Sequence, residues 1–248
     1  MPQDDENNPN NNDSSVVIPT IDLSPWTTRN NDDATARQAV VEAVTAACRD
    51  IGFLAVTHHG VDKQILQNAL TASKAFFDLP LDQKLRHKTD DERAYPYGYE
   101  NVENLAAGKS SETATRAATT STADWKETFS MGPDNPASGM PARRIPPLLE
   151  PALTEYYAAM ERLAAILLEV FATSWQLPPN WFAQRMHCHA SALRILNYFA
   201  VDMNDHVGAN ADHLPLRASA HTDYGPLVYK YIAMLSTPIT TTTNSHQS

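Results

Sequence analysis

The feature that most constrains the fold is a change of pattern near Ser191. Before this residue, apolar side chains recur at helical spacing; after it, "SALRILNYF" (residues 191–199) is apolar and aromatic in the manner of a strand. Helices followed by strands are typical of an α+β architecture, in which the two kinds of element occupy separate layers. We therefore expect an α+β fold whose sheet begins only near the end of the sequence.

Three helices are predicted from capping residues, apolar spacing and helix breakers. They run from Asp32 or Asp33 to Gly52, from near Asp62 to Pro80, and from about Pro151 to Trp175. The apolar stripe of the first helix comprises Val40, Val44, Ala47, Cys48 and Ile51. Between the first two helices, "FLAVTHHG" indicates a strand that leads into a turn.

Charge and cysteine content restrict the classes of partner. The formal net charge of −10 disfavours nucleic acid and anionic membranes, because like charges repel at close approach. Cys48 and Cys188 form no C-x-x-C pair, which indicates free thiols in a reducing compartment. With no signal peptide and no long apolar run evident, we expect a cytoplasmic monomer that acts on a small molecule, without nucleic-acid or membrane partners.

The segment "RASAHTDYGPL" (residues 217–227) contains candidate metal ligands. In a strand, His221 and Asp223 project from the same face, with about 7 Å between their Cα atoms. Nine histidines and 29 acidic residues predict about one H-x-[DE] by chance, and this is the only one in the chain. The spacing alone therefore does not establish a metal site, and the surrounding motifs have to decide.

Those motifs occur in a characteristic order between residues 16 and 227. They are "IPTIDL", "GFLAVTHHGV", "FFDLPLDQK", "YGYE" and "DWKETFSMG", followed by "LRILNYF" and "HTDYG". In this order the chain resembles the 2-oxoglutarate- and iron(II)-dependent dioxygenases of the isopenicillin-N-synthase-like branch. The resemblance implies a helical N-terminal region packed on a double-stranded β-helix, the jelly-roll core of cupin-like proteins, which is incomplete here.

The resemblance also divides the chain into regions. Residues 1–15 are expected to be a disordered tail, 16–135 the non-haem dioxygenase N-terminal region, 150–180 a long supporting helix, 185–227 a truncated oxygenase core, and 228–248 a tail outside the family. Residues 101–123 are small and polar, and we expect a long surface loop there.

Two cofactors follow from the resemblance: Fe(II) and the cosubstrate 2-oxoglutarate. His221 and Asp223 match two of the three protein ligands of the family's iron, which is held by two histidines and one carboxylate. Tyr198 matches a tyrosine that helps to hold the oxoglutarate carboxylate, although the proline that usually follows it is Phe199 here. The implied reaction is oxidation of an unactivated C–H bond in a small organic molecule.

The resemblance stops after Leu227. Relatives carry a second histidine and an R-x-S pair further downstream, whereas residues 224–248 contain no arginine and only His246, an unpromising replacement ligand. Three interpretations stay open: an oxygenase truncated in this form, an inactive protein that retains an N-terminal interaction region, or an oxygenase of the same branch that does not use oxoglutarate. A retained intron that begins near Val228 would explain why the family resemblance stops after Leu227. Sequencing transcripts across the Leu227 codon tests this explanation.

Other candidate residues have simpler interpretations. His187 and His189, with Cys188 between them, superficially resemble a zinc site, but no further ligand cluster supports one. His58 and His59 are interpreted as hydrogen-bonded turn residues. Arg194 is predicted to point away from the apolar face of its strand and to form a structural ion pair.

An incomplete jelly-roll leaves unpaired sheet edges and exposes part of its apolar interior. We therefore expect this polypeptide to fold poorly on its own and to bind iron weakly through two ligands. Thermal unfolding and hydrodynamic radius measure this directly, and a cooperative transition with a compact radius would contradict the expectation.

Overall fold

The computed structural model describes residues 17–28, 33–88, 97–101, 126–134, 144–186, 188–198 and 227–228. The helices are α1 (Ser24–Thr27), α2 (Ala34–Asp50), α3 (Lys63–Phe77), α4 (Leu81–Leu85) and α5 (Glu150–Ser174). The strands are β1 (Thr20–Asp22), β2 (Ala55–Thr57), β3 (Gly98–Glu100), β4 (Lys126–Met131) and β5 (Leu193–Tyr198). Contacts divide the chain into unit 1 (Met1–Tyr99 and Phe129–Ile195) and unit 2 (Glu100–Thr128 and Leu196–Ser248).

The three predicted helices are confirmed as α2, α3 and α5, and side chains account for two of their starts. The Asp33 carboxylate accepts hydrogen bonds from the backbone N–H groups of Thr35 and Ala36, at 2.9 and 3.0 Å. Asp62 accepts one from Gln64 at 2.8 Å. Each such cap contributes about 1 kcal/mol, because the N–H groups of a first helical turn otherwise lack protein partners.

The buried face of α2 differs from the prediction, and Ile51, the last predicted position, is only half-buried. Val40, Val44 and Ala47 are buried as expected, but Cys48 is exposed and Val41 is buried instead. Helix α2 packs against β1 and α5. By helical spacing Cys48 falls within the apolar stripe, so the spacing alone does not account for its exposure.

Strand β1 pairs with β2 in parallel, which places Asp22 opposite Thr57. This confirms the strand predicted at "FLAVTHHG". The Asp22 carboxylate accepts a hydrogen bond from the Ser24 N–H at 2.7 Å and lies 2.9 Å from His58 Nδ1. The Ser24 backbone, with a smaller contribution from His58, holds the pKa of Asp22 below its ordinary value.

Phe76 occupies the centre of the main core of unit 1. Its side chain is fully buried, and its ring centroid lies 5.5 Å from Phe77, 5.5 Å from Phe129 and 6.0 Å from Tyr99, all in edge-to-face geometry. These rings come from α3, β3 and β4, so one aromatic cluster connects three elements. Its other buried members are Ala69, Met131, Leu149, Leu153 and Tyr157.

Strands β3, β4 and β5 form one sheet in the order β3-β4-β5. The expectation of a sheet that begins only near the end of the sequence was therefore wrong, because β3 and β4 precede α5. The polar composition of β4 explains the error. Phe129 and Met131 pack in the core, but Thr128 and Ser130 on the alternate face are polar and nevertheless buried.

Helix α5 ends in a Schellman motif with an unusual residue at its left-handed position. Gln176 N–H donates to the Thr173 carbonyl at 3.0 Å, and Leu177 N–H donates to the Ala172 carbonyl at 2.9 Å. Gln176 has a φ of 57°, where a side chain crowds the backbone and glycine is usual. By contrast, α2 ends beside Gly52, with a φ of 80°.

Replacing Gln176 with glycine should stabilise the protein by about 1 kcal/mol, because the strain of the left-handed conformation is relieved while both hydrogen bonds are kept. Urea denaturation of the two proteins measures the difference. Gly52→Ala is the opposite change and serves as the control. It should lower the stability of the protein, because it places a side chain on a residue with positive φ, and no atom lies within 4 Å of the added Cβ to contribute a clash. A destabilised Gln176→Gly variant would contradict this account.

Gly132, just after β4, makes room for Tyr97. A Cβ at Gly132 would lie 2.5 Å from Tyr97 Cζ and 2.7 Å from its hydroxyl oxygen. The hydroxyl is buried and has no hydrogen-bond partner among the residues that the structure describes, and burial raises the pKa of Tyr97. The tyrosine ring therefore lies directly over the Gly132 backbone and depends on the absence of a side chain there.

The variant Gly132→Ala should lose about 1–3 kcal/mol of stability, because one methyl group forces the Tyr97 ring out of its packed position. The matched test introduces the same change in a Tyr97→Ala background, where the steric conflict is absent. There the cost of Gly132→Ala should largely disappear. Equal costs in both backgrounds would show that the close approach to Tyr97 does not matter.

Candidate functional site

Strand β5 carries different residues on its two faces. Leu193 and Ile195 pack against the core of unit 1, while Arg194 lies on the alternate face. This confirms the predicted orientation of Arg194. Its Nε donates a hydrogen bond to the hydroxyl of Ser130 at 3.0 Å, so the guanidinium binds a neighbouring strand.

Tyr198 is the last residue of β5, and strand alternation puts it on the face that the core leaves uncovered. Its side chain belongs to unit 2 and is 37% exposed. A phenol in this situation is accessible to a ligand, and its hydroxyl can donate a hydrogen bond to a carboxylate oxygen. The exposure and chemistry of Tyr198 are compatible with the predicted contact to 2-oxoglutarate, which stays a prediction.

His221 and Asp223, the predicted iron ligands, lie outside the described residues. Among the residues that the structure describes, no three or more His, Cys, Asp or Glu side chains are grouped so that they could hold a metal ion. The fit of iron to this chain therefore rests on the chemistry of the two predicted donors, since neutral imidazole and carboxylate are ligands that suit Fe(II).

Unit 2 contains polar contacts on β4 that the sequence did not reveal. The Asn197 side-chain amide donates to the Glu127 carboxylate at 2.9 Å, and the Thr128 hydroxyl donates to the Glu100 carboxylate at 3.3 Å. Glu127 is only 1% exposed. The available signal was strand alternation, which puts Glu127 on the same face of β4 as Phe129 and thereby predicts a buried carboxylate.

The remaining candidate histidines have structural contacts. His189 Nε2 lies 3.1 Å from a Glu161 carboxylate oxygen, and Ser191 N–H donates to His189 Nδ1. His59 Nδ1 accepts a hydrogen bond from Val61 N–H at 3.1 Å. The interpretation of His58 and His59 as hydrogen-bonded turn residues is thus confirmed, whereas His187 and His246 lie outside the described residues.

Comparison with known proteins identifies the class. Residues 18–151, more than half of the chain, match the family described as non-haem dioxygenase in morphine synthesis, N-terminal. The chain therefore belongs to this family and, with it, to the 2-oxoglutarate- and iron(II)-dependent dioxygenase superfamily. The predicted resemblance is confirmed.

Curated relatives come from bacteria and fungi. Validamycin A dioxygenase of Streptomyces hygroscopicus subsp. limoneus is 28% identical over 222 residues, covering 85% of this chain and 56% of the relative. The 2-oxoglutarate-dependent dioxygenase citB of Monascus ruber is 30% identical over 231 residues, covering 86% and 64%. The chain thus spans less than two thirds of the length of these relatives.

Solved structures confirm the fold. A full-length Neurospora crassa protein crystallised with alpha-KG superposes with a TM-score of 0.68 at 21% identity, covering 86% of this chain and 63% of that one. A 2OG-Fe(II) oxygenase family protein of Caulobacter crescentus gives a TM-score of 0.62 at 23% identity, covering 83% and 60%. The α+β assignment to the double-stranded β-helix fold is therefore confirmed. Within the described residues, no helix is long and apolar enough to cross a membrane.

Proposed function

We propose that the protein acts as a non-haem Fe(II)- and 2-oxoglutarate-dependent oxygenase that hydroxylates or otherwise oxidises a small organic molecule in the cytoplasm, as a monomer. Membership of the dioxygenase family carries this proposal. The exposed Tyr198 at the end of β5 supports it, because this is the residue that matches the family's oxoglutarate-binding tyrosine. The free, exposed cysteines accord with a reducing compartment.

In this proposal the regions of the chain have separate tasks. Residues 16–135 form the N-terminal region, 150–180 the supporting helix and 185–227 the start of the oxygenase core. His221 and Asp223 bind the iron, and the Tyr198 hydroxyl donates a hydrogen bond to a carboxylate of 2-oxoglutarate. Iron and 2-oxoglutarate together supply the means to activate dioxygen for oxidation of a C–H bond, while the protein orients the reactants and excludes water.

A second candidate is a protein without catalytic activity that retains the N-terminal helical region as an interaction region. The observation that favours it is that the family motifs stop after Leu227 and that residues 228–248 do not resemble the oxygenase core. The two candidates differ in two measurable properties, which are Fe(II) binding and 2-oxoglutarate turnover.

For an active oxygenase supplied with Fe(II) and dioxygen, we expect conversion of 2-oxoglutarate to succinate and carbon dioxide. His221→Ala and Asp223→Ala should each reduce succinate formation to background, since each removes an iron ligand. The assay includes a panel of small organic molecules. Among them are validamycin A, which appears in the name of one relative, and thymine, which is bound in one of the similar solved structures. His58→Ala is the matched control, because this exposed histidine contacts Asp22 in a turn.

The outcomes separate the candidates. Turnover in the wild-type and His58→Ala proteins but in neither ligand variant supports the oxygenase. A wild-type protein that folds cooperatively, yet neither binds Fe(II) nor turns over 2-oxoglutarate, supports the inactive alternative. Turnover that survives both ligand substitutions would contradict the assignment of His221 and Asp223.

A further inference from the structure

A buried carboxylate on β4 has no role in the proposed reaction. Glu127 is 1% exposed and lies in unit 2. Placing an ionised carboxylate inside a protein is costly unless hydrogen bonds replace its water shell. Part of this replacement comes from Asn197, whose side-chain amide donates to Glu127 Oε1 at 2.9 Å across 70 residues of sequence.

The hydrogen bond between Asn197 and Glu127 matters because Asn197 is the neighbour of Tyr198 in the sequence. Asn197 directly precedes Tyr198 on β5, and neighbouring residues of a strand point to opposite faces. When the amide of Asn197 is directed to Glu127, the ring of Tyr198 is directed to the other face. The orientation of Tyr198 and the Glu127–Asn197 hydrogen bond are therefore two consequences of the same strand register.

A hypothetical shift of β5 by one residue shows why a carboxylate at position 127 favours the observed strand register. Such a shift would turn Tyr198 towards Glu127 and carry the Asn197 amide away. The buried carboxylate would then lose its amide donor, which is a severe penalty in a site closed to water. A valine or leucine at position 127 would impose no comparable penalty, because apolar contacts do not distinguish the two registers by hydrogen bonding.

We propose that Glu127 is a positioning residue of the oxygenase site, which holds the end of β5 through Asn197 and thereby fixes Tyr198 for contact with 2-oxoglutarate. This inference rests on the proposed function only for the role of Tyr198. The placement of β5 itself is a property of the protein without cofactor. Glu127 does not contact the reacting groups and acts through its neighbour.

A second hydrogen bond, on the opposite face of β4, holds this strand in place. The Thr128 hydroxyl donates to Glu100 Oε2 at 3.3 Å, and Thr128 is as deeply buried as Glu127. Adjacent residues of β4 are thus engaged on both faces of the strand within unit 2. Strand β4 is therefore a defined support against which the end of β5 is aligned.

The test compares Glu127→Ala with Glu127→Gln, which keeps an acceptor oxygen for Asn197 without the charge. Tyr157→Phe is the matched structural control. It removes the hydrogen bond that the Tyr157 hydroxyl donates to the Ser191 carbonyl at 3.0 Å, just before β5. All variants are measured below their unfolding temperatures, so that loss of folded protein does not contribute.

Two measurements are made on each protein. Hydrogen exchange of the Leu196, Asn197 and Tyr198 amides reports the placement of β5 without iron or 2-oxoglutarate. The KM for 2-oxoglutarate, compared with kcat, reports the placement of Tyr198. In Glu127→Ala we expect faster exchange at these amides and a KM raised by about 10-fold, with kcat changed much less, a size typical of losing a supporting contact behind a binding residue.

Glu127→Gln should retain both the slow exchange and the wild-type KM, and Tyr157→Phe should lower stability without changing either. Unchanged exchange in Glu127→Ala, or the same defects in Glu127→Ala and Glu127→Gln, would overturn the inference. If the wild-type protein does not turn over 2-oxoglutarate, the proposed function fails while the exchange data still decide whether Glu127 holds β5. Slow exchange in Glu127→Ala with a raised KM would also contradict the mechanism.

Discussion

The packing around Phe76 is the interaction that brings α3, β3, β4 and α5 together in unit 1. This fully buried ring joins residues of α3, β3 and β4, and the same core includes Leu153 from α5. Burying a side chain of this size contributes on the order of 3 kcal/mol, and edge-to-face contacts add to it. Because four elements meet at one cluster, their relative placement is determined largely by aromatic packing and less by backbone pairing.

This packing also decides which strand faces are left for function. Once Phe129 and Ile195 face the core, alternation directs Ser130 and Arg194 to the other face of their strands. The same rule, continued to the end of β5, leaves Tyr198 accessible. The exposure of Tyr198 is therefore what the alternation of side chains along β5 predicts.

Much of the helical architecture could be predicted from the sequence, because helices are specified by local signals. Asp33 and Asp62 are effective caps, and the apolar spacing of α5 gave its extent to within one residue at each end. Strand β4 was not predicted, since three of its five buried residues are polar and only contacts with other strands make their burial favourable. The exposure of Cys48 was missed because helical spacing places it within the apolar stripe of α2, and spacing does not show which part of a stripe tertiary packing covers.

The sequence by itself determined the class of protein and the candidate ligands. The order of short motifs indicated the dioxygenase family, and the resemblance to that family singled out His221, Asp223 and Tyr198 as predicted site residues. Only the tertiary structure decided which polar residues are buried and which partners they have. Glu127 and Asn197 lie 70 residues apart, and no local pattern connects them. Their hydrogen bond forms because packing of the sheet brings β4 and β5 together and excludes the water that would otherwise solvate the carboxylate.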